Sequence, residues 1–403
     1  MAAGDATDFA SGPLTGVRVL DLSRVLAGPY SGRLLCDLGA EVVKLEPPEG
    51  DESRQIAPRH DRGQSWLFTY SNVGKRSISL DLGKPGAAEI VLALARVCHV
   101  VIENFRPGVL DRLGVGWEPL HAANPALVLL SINGFGSDSS FRERRAYAPI
   151  VHAATGLLRD RGQLGQAPTQ PRNAYSDVTT ALHGTVALLA ALRQAEATGV
   201  GQRVEVPMFD ATLASSSETG NVFLDPPDDR VMNPIYEAGA HGFIAVAGAA
   251  PHVWTSLAVA FPDELPDPAP PGADVETKAK ARHAAIAAWM ERAPTQQAVL
   301  EKLARAKLAC APIVTPREAL ESPLAVERAL LARVDDRRGG TRPVVRSPAR
   351  FSATRNEIRG PAPLPGEHGA EVLRELLGWD DARIAALAES GVLVTELRIR
   401  KGA

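Results

Sequence analysis

The sequence predicts an α/β protein built on a parallel β-sheet with helices on both faces. Short apolar runs that fit buried strands alternate with helical patterns along the first 210 residues. This alternation is typical of a parallel sheet, because each strand-to-strand crossover is then a helix. A long, nearly uncharged stretch at residues 177–193 adds a helix that we expect to be buried.

The elements follow one another in a regular order. The first strand is predicted at residues 17–22 (VRVLDL), and Gly28-Pro29 opens a helix that runs to about Leu38, with the proline in its first turn. The other predicted strands of this part are residues 41–45, 77–82, 100–103, 127–132 and 202–208. Helices are predicted at residues 86–97, near 119–123, and after the last of these strands.

The character of the sequence changes near residue 210. A strand at 243–247, a helix around Trp254 and a Pro-rich loop at 262–272 precede helices at 275–291 and 295–307. The chain ends with helices at 367–377 and 380–390. We therefore predict a large domain that begins with residues 1–209, a smaller inserted domain at 210–308, and a return to the large domain at 309–403.

Composition excludes several classes of function. The 403 residues are 45% hydrophobic and 23% charged, and the net charge is −3, so no overall basic field exists to bind nucleic acid or an anionic membrane. Cys36, Cys98 and Cys310 lack the spacing of metal ligands, which predicts buried reduced thiols and no metal site. Without an apolar leader or a bilayer-length apolar run, the sequence predicts a cytoplasmic protein.

One acidic residue stands at the start of the predicted helix at 177–193. Ser176 or Asp177 is the expected N-cap, and the next fifteen residues carry no ionisable group except His183. The helix dipole favours an ionised carboxylate there, which would make Asp177 available as a nucleophile or base. An aspartate at a helix start is, however, more often only a cap.

A dinucleotide site is the first alternative to consider. Strand, glycine turn and helix follow in the required order, and Glu46 ends the second strand. The turn, Ala27-Gly-Pro-Tyr-Ser-Gly32, is not G-x-G-x-x-G, because proline replaces a residue whose N–H would face the pyrophosphate. The sequence therefore gives little support to an NAD-dependent enzyme.

Several long segments together resemble the family III CoA-transferases. They are VRVLDLSRVLAGPYSGRLLCDLGAEVVKLEPPEGD, GKRSISLDL, VIENFRPGVLDRLGVGWEPLHAANPALVLLSINGFG, GQRVEVPMFDA and the tail GEHGAEVLRELLGWDDARIAALAESGVL. That group includes formyl-CoA, carnitine and bile-acid transferases and the α-methylacyl-CoA racemases. The resemblance implies a Rossmann-like large domain, a small domain, an interlocked homodimer, and acyl-CoA and a small carboxylic acid as substrates.

The resemblance also implies site residues. The family's catalytic aspartate falls on Asp177, and its coenzyme A contacts fall on Val25, Leu26, Ala27, Leu80, Asn104, Phe105, Arg112 and Arg145. Lys84 and Arg106 are nearby auxiliary cations, and guanidinium groups suit phosphates because they bind in a bidentate way. Pro47-Pro48 stands where many members carry a cation, which puts one adenine-side contact in doubt.

The expected chemistry is transfer of CoA through an acyl-aspartyl anhydride and an aspartyl-CoA thioester on Asp177. The racemase branch instead needs acid and base groups on two faces of the α-carbon. Its His-Asp pair falls on Tyr147 and Ala148, and its glutamate falls on Ala250, so these partners are missing. His152 could replace the lost base or be a core histidine, and a CoA-binding homologue without catalysis is a third possibility. The family's glycine-rich lid has only Gly239, Gly242 and Gly248 as counterparts.

Overall fold

The computed structural model describes residues 12–56, 59–60, 64–160, 167–216, 223, 235–238 and 242–395. The chain divides into two compact units, one of residues 1–217 with 329–403 and the other of residues 218–328. Gly239, one of the glycines of the expected lid, lies outside the described residues.

The first unit contains the large parallel sheet and its helices. Its strands are β1 (Arg18–Asp21), β2 (Glu41–Glu46), β3 (Arg59–His60), β4 (Gln64–Ser65), β5 (Arg76–Ser79), β6 (Val100–Glu103), β7 (Val128–Asn133) and β8 (Arg203–Pro207). The helices up to residue 217 are α1 (Ala27–Asp37), α2 (Trp66–Asn72), α3 (Ala87–Val97), α4 (Val109–Arg112), α5 (Trp117–Ala123), α6 (Ala148–Ala154), α7 (Leu157–Asp160), α8 (Tyr175–Thr198) and α9 (Met208–Ala214).

The six long strands form one sheet in the order β5-β2-β1-β6-β7-β8, and every pair in it is parallel. Counted in chain order, this is the 3-2-1-4-5-6 arrangement of the Rossmann fold. The predicted α/β class with a parallel sheet is confirmed. In such sheets ligands bind where the strand order reverses, which is here the carboxyl ends of β1 and β6.

Alternating side chains of the strands fill two cores, one on each face of the sheet. Leu20 and Val101 belong to the core beneath α3 and α5, whereas Val19 and Ile102 belong to the core beneath α1 and α8. Strands buried on both faces must be apolar nearly throughout, which explains the continuous runs in the sequence.

Helix α8 departs from its predicted form in two ways. It begins at Tyr175 with Ala174 as its N-cap, so neither Ser176 nor Asp177 is the cap. It is also only half buried, since Leu182 and Val186 are 46% and 70% exposed. The near absence of charge in the sequence does not, therefore, mean a fully buried helix.

The second unit has its own small sheet and core. Its strands β9 (Ile235–Glu237), β10 (Phe243–Val246) and β11 (Cys310–Pro312) are antiparallel, in the order β11-β10-β9. Its helices are α10 (Ala250–Ala260), α11 (Val275–Glu291), α12 (Gln296–Arg305), α13 (Pro316–Glu321) and α14 (Pro323–Glu327). The core of this unit includes Trp254 and Trp289.

The chain then completes the first unit with the hairpin β12 (Leu331–Asp335) and β13 (Thr341–Val345) and the helices α15 (Gly369–Leu377) and α16 (Asp381–Glu389). Side chains of α15 and α16 extend the core beneath α3. In the described part of the chain, no helix has the length and apolarity needed to cross a bilayer.

Candidate active site

Asp177 lies in the first turn of α8, at the wall of a cavity in the first unit. Its side chain is only 9% exposed, and among the described residues its Oδ2 atom has no hydrogen-bond partner. A buried oxygen without a partner is costly in a folded protein, and such groups concentrate at functional sites. The N-terminal turn of a 24-residue helix favours negative charge at this point.

Burial raises the pKa of Asp177 to about 6. The backbone N–H groups of Asp177 itself and of Ala27 act in the opposite direction and limit this rise. A carboxyl with this pKa is ionised at neutral pH and remains more basic than an ordinary aspartate, which suits a nucleophile or a base.

The cavity beside Asp177 has a volume of about 330 Å³. Five of the predicted coenzyme A contacts line it: Val25, Ala27, Asn104, Phe105 and Arg145. They come from the turn after β1, the segment after β6 and the approach to α6. The sheet therefore brings together, at its point of strand reversal, residues as far apart in the sequence as Val25 and Asp177.

The other predicted contacts lie around this cavity. Leu80 lines a neighbouring cavity of about 300 Å³, together with Pro47 and Pro48. Phe105 lines both this cavity and the one beside Asp177. Arg112 lines a third cavity of about 390 Å³, which shares Arg106 with the first.

Two predicted residues do not line these cavities. Leu26 is buried and forms the N-cap of α1. Lys84, expected as an auxiliary cation, donates to the backbone carbonyl of Ser390 and is not among the lining residues.

Asn104 supports the turn after β1 directly. Its Oδ1 accepts from the N–H of Arg24 at 2.7 Å, and its Nδ2 donates to the carbonyl of the same residue at 2.7 Å. Both polar atoms of the Asn104 amide are therefore hydrogen-bonded within the protein.

The buried cluster beneath this turn, which includes Asp21, Lys44 and Lys75, was not predicted from the sequence. Charged residues inside otherwise apolar strands were the available signal.

Glu103 is a second buried carboxyl that the sequence analysis did not single out. It ends β6 and lines the same cavity as Arg112. Burial raises its pKa to about 7, and its Oε2 accepts from the N–H of Phe105 at 2.9 Å. It therefore fixes the start of the segment at residues 104–113, which contributes lining residues to all three cavities.

The dinucleotide alternative is not supported by the structure. Glu46 is fully buried, where it binds Arg54 at 2.6 Å and accepts from Ser77, so it presents no carboxylate to a ribose. A side chain at Gly28 would lie within 2.2 Å of the Cβ of Ser23, so this glycine is needed for packing within the turn.

The positions that matter for racemase chemistry carry no second base. Tyr147 lines the cavity, and Ala148 is buried at the start of α6. His152 is fully buried and its Nε2 accepts from the N–H of Ser176 at 3.1 Å, so it supports α8 and is not among the cavity residues. Ala250 begins α10 in the second unit.

The cysteines are free thiols, of which Cys36 and Cys98 are buried and Cys310 is half-buried. Burial raises the pKa of Cys36 to about 11 and that of Cys98 to about 12. Neither is a thiolate at neutral pH, and none of the three cysteines is among the residues that line the cavity beside Asp177.

Comparison with known proteins decides the family. The family model described as CoA-transferase family III matches residues 14–369. The chain belongs to CoA-transferase family III. The resemblance inferred from the sequence is thereby confirmed, and the protein is an enzyme of this family.

Several curated relatives of this family III protein match it over almost their full length. A succinyl-CoA–D-citramalate CoA-transferase of Chloroflexus aurantiacus is 30% identical, over 94% of this chain and 98% of the relative. A succinyl-CoA:mesaconate CoA-transferase of Haloarcula hispanica is 32% identical, over 90% and 96%. A formyl-CoA:oxalate CoA-transferase of Streptomyces avermitilis is 32% identical, over 94% and 99%. A solved CAIB/BAIF family protein from Brucella suis superimposes with a TM-score of 0.79 at 29% identity, covering 91% of this chain and all of that one.

Proposed function

We propose that this protein transfers CoA from an acyl-CoA thioester to a small carboxylic acid, with Asp177 as the nucleophile. The observation that carries the proposal is the buried carboxylate of Asp177, with one oxygen unpartnered among the described residues, on the wall of a cavity whose other charged lining groups are mostly arginines. Family membership supplies the reaction class, and the site supplies the group that performs it.

The first half of the proposed reaction moves CoA from the donor onto Asp177, by way of an acyl-aspartyl anhydride. A carboxylate oxygen of Asp177 attacks the thioester carbonyl, the carbon–sulfur bond breaks, and CoA leaves as its thiolate. The thiolate then attacks the Asp177 carbonyl of the resulting anhydride. An aspartyl-CoA thioester forms and the donor leaves as a free carboxylate.

The second half repeats these steps in reverse with the acceptor. The acceptor carboxylate attacks the aspartyl-CoA carbonyl, which releases the CoA thiolate and forms a new anhydride. The thiolate attacks the acceptor's carbonyl, so the new acyl-CoA leaves and Asp177 is a carboxylate again. Each bond broken is matched by one formed, and the chemistry uses no metal.

Coenzyme A is proposed to bind along the three cavities, of which the one beside Asp177 shares Phe105 with the Leu80 cavity and Arg106 with the Arg112 cavity. Arg112 and Arg145 are both exposed and line two of them, which fits them to the phosphates. The apolar wall of Leu80, Pro47 and Pro48 fits the adenine side, so this contact would be made by packing where a cation was expected.

The class of acceptor is proposed to include small dicarboxylic acids. Several relatives are named for succinyl-CoA, mesaconate or oxalate. The cavity beside Asp177 is lined by Arg24, Arg106, Arg142, Arg144 and Arg145, an excess of positive charge that suits a second carboxylate as well as the coenzyme.

A homodimer is part of the proposal. Leu182 and Val186 on α8 are exposed, as are Phe141 and Ile150 near α6. Apolar side chains of this size are often covered when they form contiguous surface. A second copy of the chain is the partner that the family resemblance implies.

The decisive experiment traps the covalent intermediate. The protein is incubated with succinyl-CoA or acetyl-CoA, quenched with hydroxylamine, digested and analysed by mass spectrometry. We expect a hydroxamate on the peptide that contains Asp177, and none in Asp177→Asn. A wild-type peptide free of label during active turnover would contradict the proposal. Screening a pool of carboxylic acids for newly formed thioesters then identifies the acceptor.

A further inference from the structure

The turn between β1 and α1 contains a residue in an unfavourable backbone conformation. Val25 has a φ of 67°, in the left-handed region, and it is the one β-branched residue among the four non-glycine residues with positive φ in the described chain. A β-branched residue rarely adopts this conformation, because its side chain collides with the backbone. The surrounding structure must therefore hold it there.

A carboxylate provides this restraint from below the turn. Both oxygens of Asp51 accept from the N–H of Val25, at 3.1 and 3.2 Å. The same carboxylate accepts from the N–H and hydroxyl of Ser53, at 2.8 and 2.7 Å. Asp51 is 1% exposed, so water does not compete for these contacts.

Lys44 completes the restraint. Its Nζ lies 3.1 Å from Oδ2 of Asp51 and also donates to the carbonyl of Ser23. Because Lys44 is fully buried on β2, its ammonium is fixed by the sheet itself. Ser23 and Val25 are thus held by one buried ion pair, while Asn104 holds Arg24 between them.

The turn leads directly to the proposed nucleophile. Ala27, two residues after Val25, begins α1, and it lines the cavity together with Val25 and Asp177. Its N–H is one of the two backbone groups that counter the effect of burial on the Asp177 carboxyl. A change in the direction of the turn would therefore move this N–H relative to the carboxylate.

We propose that the buried Lys44–Asp51 ion pair is a positioning element for catalysis, which holds Val25 in the left-handed conformation and so sets the N–H of Ala27 against the carboxylate of Asp177. This inference depends on the proposed function, in which Asp177 is the nucleophile. Buried ion pairs are poor stabilisers in general, because desolvation offsets most of their attraction, so a role in geometry explains this one better than a role in stability.

The test is the pH dependence of turnover in Asp51→Asn. If the turn relaxes, the Ala27 N–H no longer stabilises the ionised carboxylate of Asp177, and the pKa of Asp177 rises further. We expect the acidic limb of the kcat profile to move upward by about one pH unit. We also expect kcat at neutral pH to fall by roughly tenfold to a hundredfold, with a smaller change in KM.

Other charged groups near Asp177 are the same in all variants, so they do not account for such a shift. Those lining its cavity are Arg24, Glu52, Arg106, Arg142, Arg144 and Arg145. His152 faces the start of α8 from α6.

Asp37→Asn is the matched control. Asp37 forms an equally buried ion pair with Arg33 at 2.8 Å, on α1 but away from the turn and the cavity. We expect it to leave the acidic limb of the kcat profile in place. A shift of the same size in Asp37→Asn would overturn the inference, and so would an unmoved limb in folded Asp51→Asn.

Two further variants separate geometry from folding. In Asp51→Asn/Val25→Gly, glycine adopts positive φ without strain, so we expect part of the lost kcat to return relative to Asp51→Asn. If Asp51→Asn does not fold, Asp51→Glu keeps the charge beside Lys44 but displaces its oxygens from Val25, and the same upward shift is expected. No shift in Asp51→Glu would reject the inference. Failure of the proposed function looks different, since Asp177→Asn would then retain turnover.

Discussion

The backbone N–H of Ser176 donates to Nε2 of His152 at 3.1 Å, so a histidine from α6 supports the first turn of the helix that carries Asp177. The imidazole is fully buried, and its Nδ1 lies 3.1 Å from the side-chain nitrogen of Gln170. Both ring nitrogens are therefore engaged within the protein. This arrangement favours a structural role for His152 over that of a substitute racemase base.

His152→Ala should destabilise the protein without changing its reaction class. The substitution leaves the buried N–H of Ser176 without its partner, which costs about 1–3 kcal/mol. Urea denaturation should show this loss, with hydroxylamine labelling of Asp177 slower but present.

Deuterium exchange tests the racemase alternative for the same residue. In heavy water, neither the wild type nor His152→Ala should incorporate deuterium at the α-carbon of a 2-methylacyl-CoA. Rapid incorporation by the wild type that disappears in His152→Ala would assign His152 as a base and place the enzyme in the racemase branch.

Asp177→Asn should abolish CoA transfer and stabilise the fold at neutral pH. The pKa of Asp177 is raised to about 6 from 3.8, so ionisation of this buried group destabilises the native state. The destabilisation is fully present above the folded pKa and is relieved as the pH falls from about 6 towards 3.8. At about 1.4 kcal/mol per pKa unit, the variant should gain about 2–3 kcal/mol at pH about 7.5, and much less near pH about 4.

Asp21→Asn gives the opposite sign and serves as the control. Asp21 is completely buried, which by itself would raise its pKa. The ammonium of Lys75, 2.7 Å away, helps to hold that pKa below its usual value. The ionised form of Asp21 therefore stabilises the fold, and its loss should lower stability at neutral pH. If Asp177→Asn were instead less stable than the wild type at neutral pH, burial of the carboxylate would not be the dominant cost.

Much of the fold could be predicted because buried parallel strands leave a recognisable pattern in the sequence. The strands at β1, β6 and β7 are continuous apolar runs, and each is bounded by turn residues. The start of α8 was placed incorrectly, since its supporting group is His152, 24 positions earlier in the chain. A tertiary contact of this kind leaves no local signal.

The site was predictable only in part, for a related reason. Asp177 could be singled out because it is an isolated charge in an apolar segment. The role of Asn104 at the turn depends on β1 and β6 being neighbours, which is a property of strand order. Lys44 and Asp51 were missed, although a lysine inside the apolar run of β2 is itself unusual and needs a partner.

Arg112→Ala and Arg145→Ala should each weaken binding of coenzyme A. A charge-assisted contact to a phosphate contributes about 1–3 kcal/mol, so the dissociation constant should rise roughly fivefold to a hundredfold. Titration calorimetry at low and moderate salt measures this, and the difference should shrink as salt screens the phosphates.

Lys84→Ala is the matched cation-to-alanine control for these two variants. Its ammonium donates to the carbonyl of Ser390 and is not among the cavity residues, so coenzyme A affinity should stay within about twofold of the wild type. Equal losses in Lys84→Ala and Arg112→Ala would mean a general effect of surface charge, and Arg112 would leave the proposed site.

Val186→Lys should disrupt the proposed homodimer. Val186 is 70% exposed in the middle of α8, and Leu182 is exposed one turn earlier. Contact of such apolar side chains with water is unfavourable. A charge placed within a covered apolar interface has no partner and opposes association. Size-exclusion chromatography with light-scattering detection should show a lower molar mass for Val186→Lys than for the wild type. The control, Ala197→Lys, lies on the exposed last turn of the same helix and should leave the mass unchanged. A wild type that already elutes as a monomer, or a Val186→Lys variant that keeps the wild-type mass, would show that this face of α8 is not the contact between two copies of the chain.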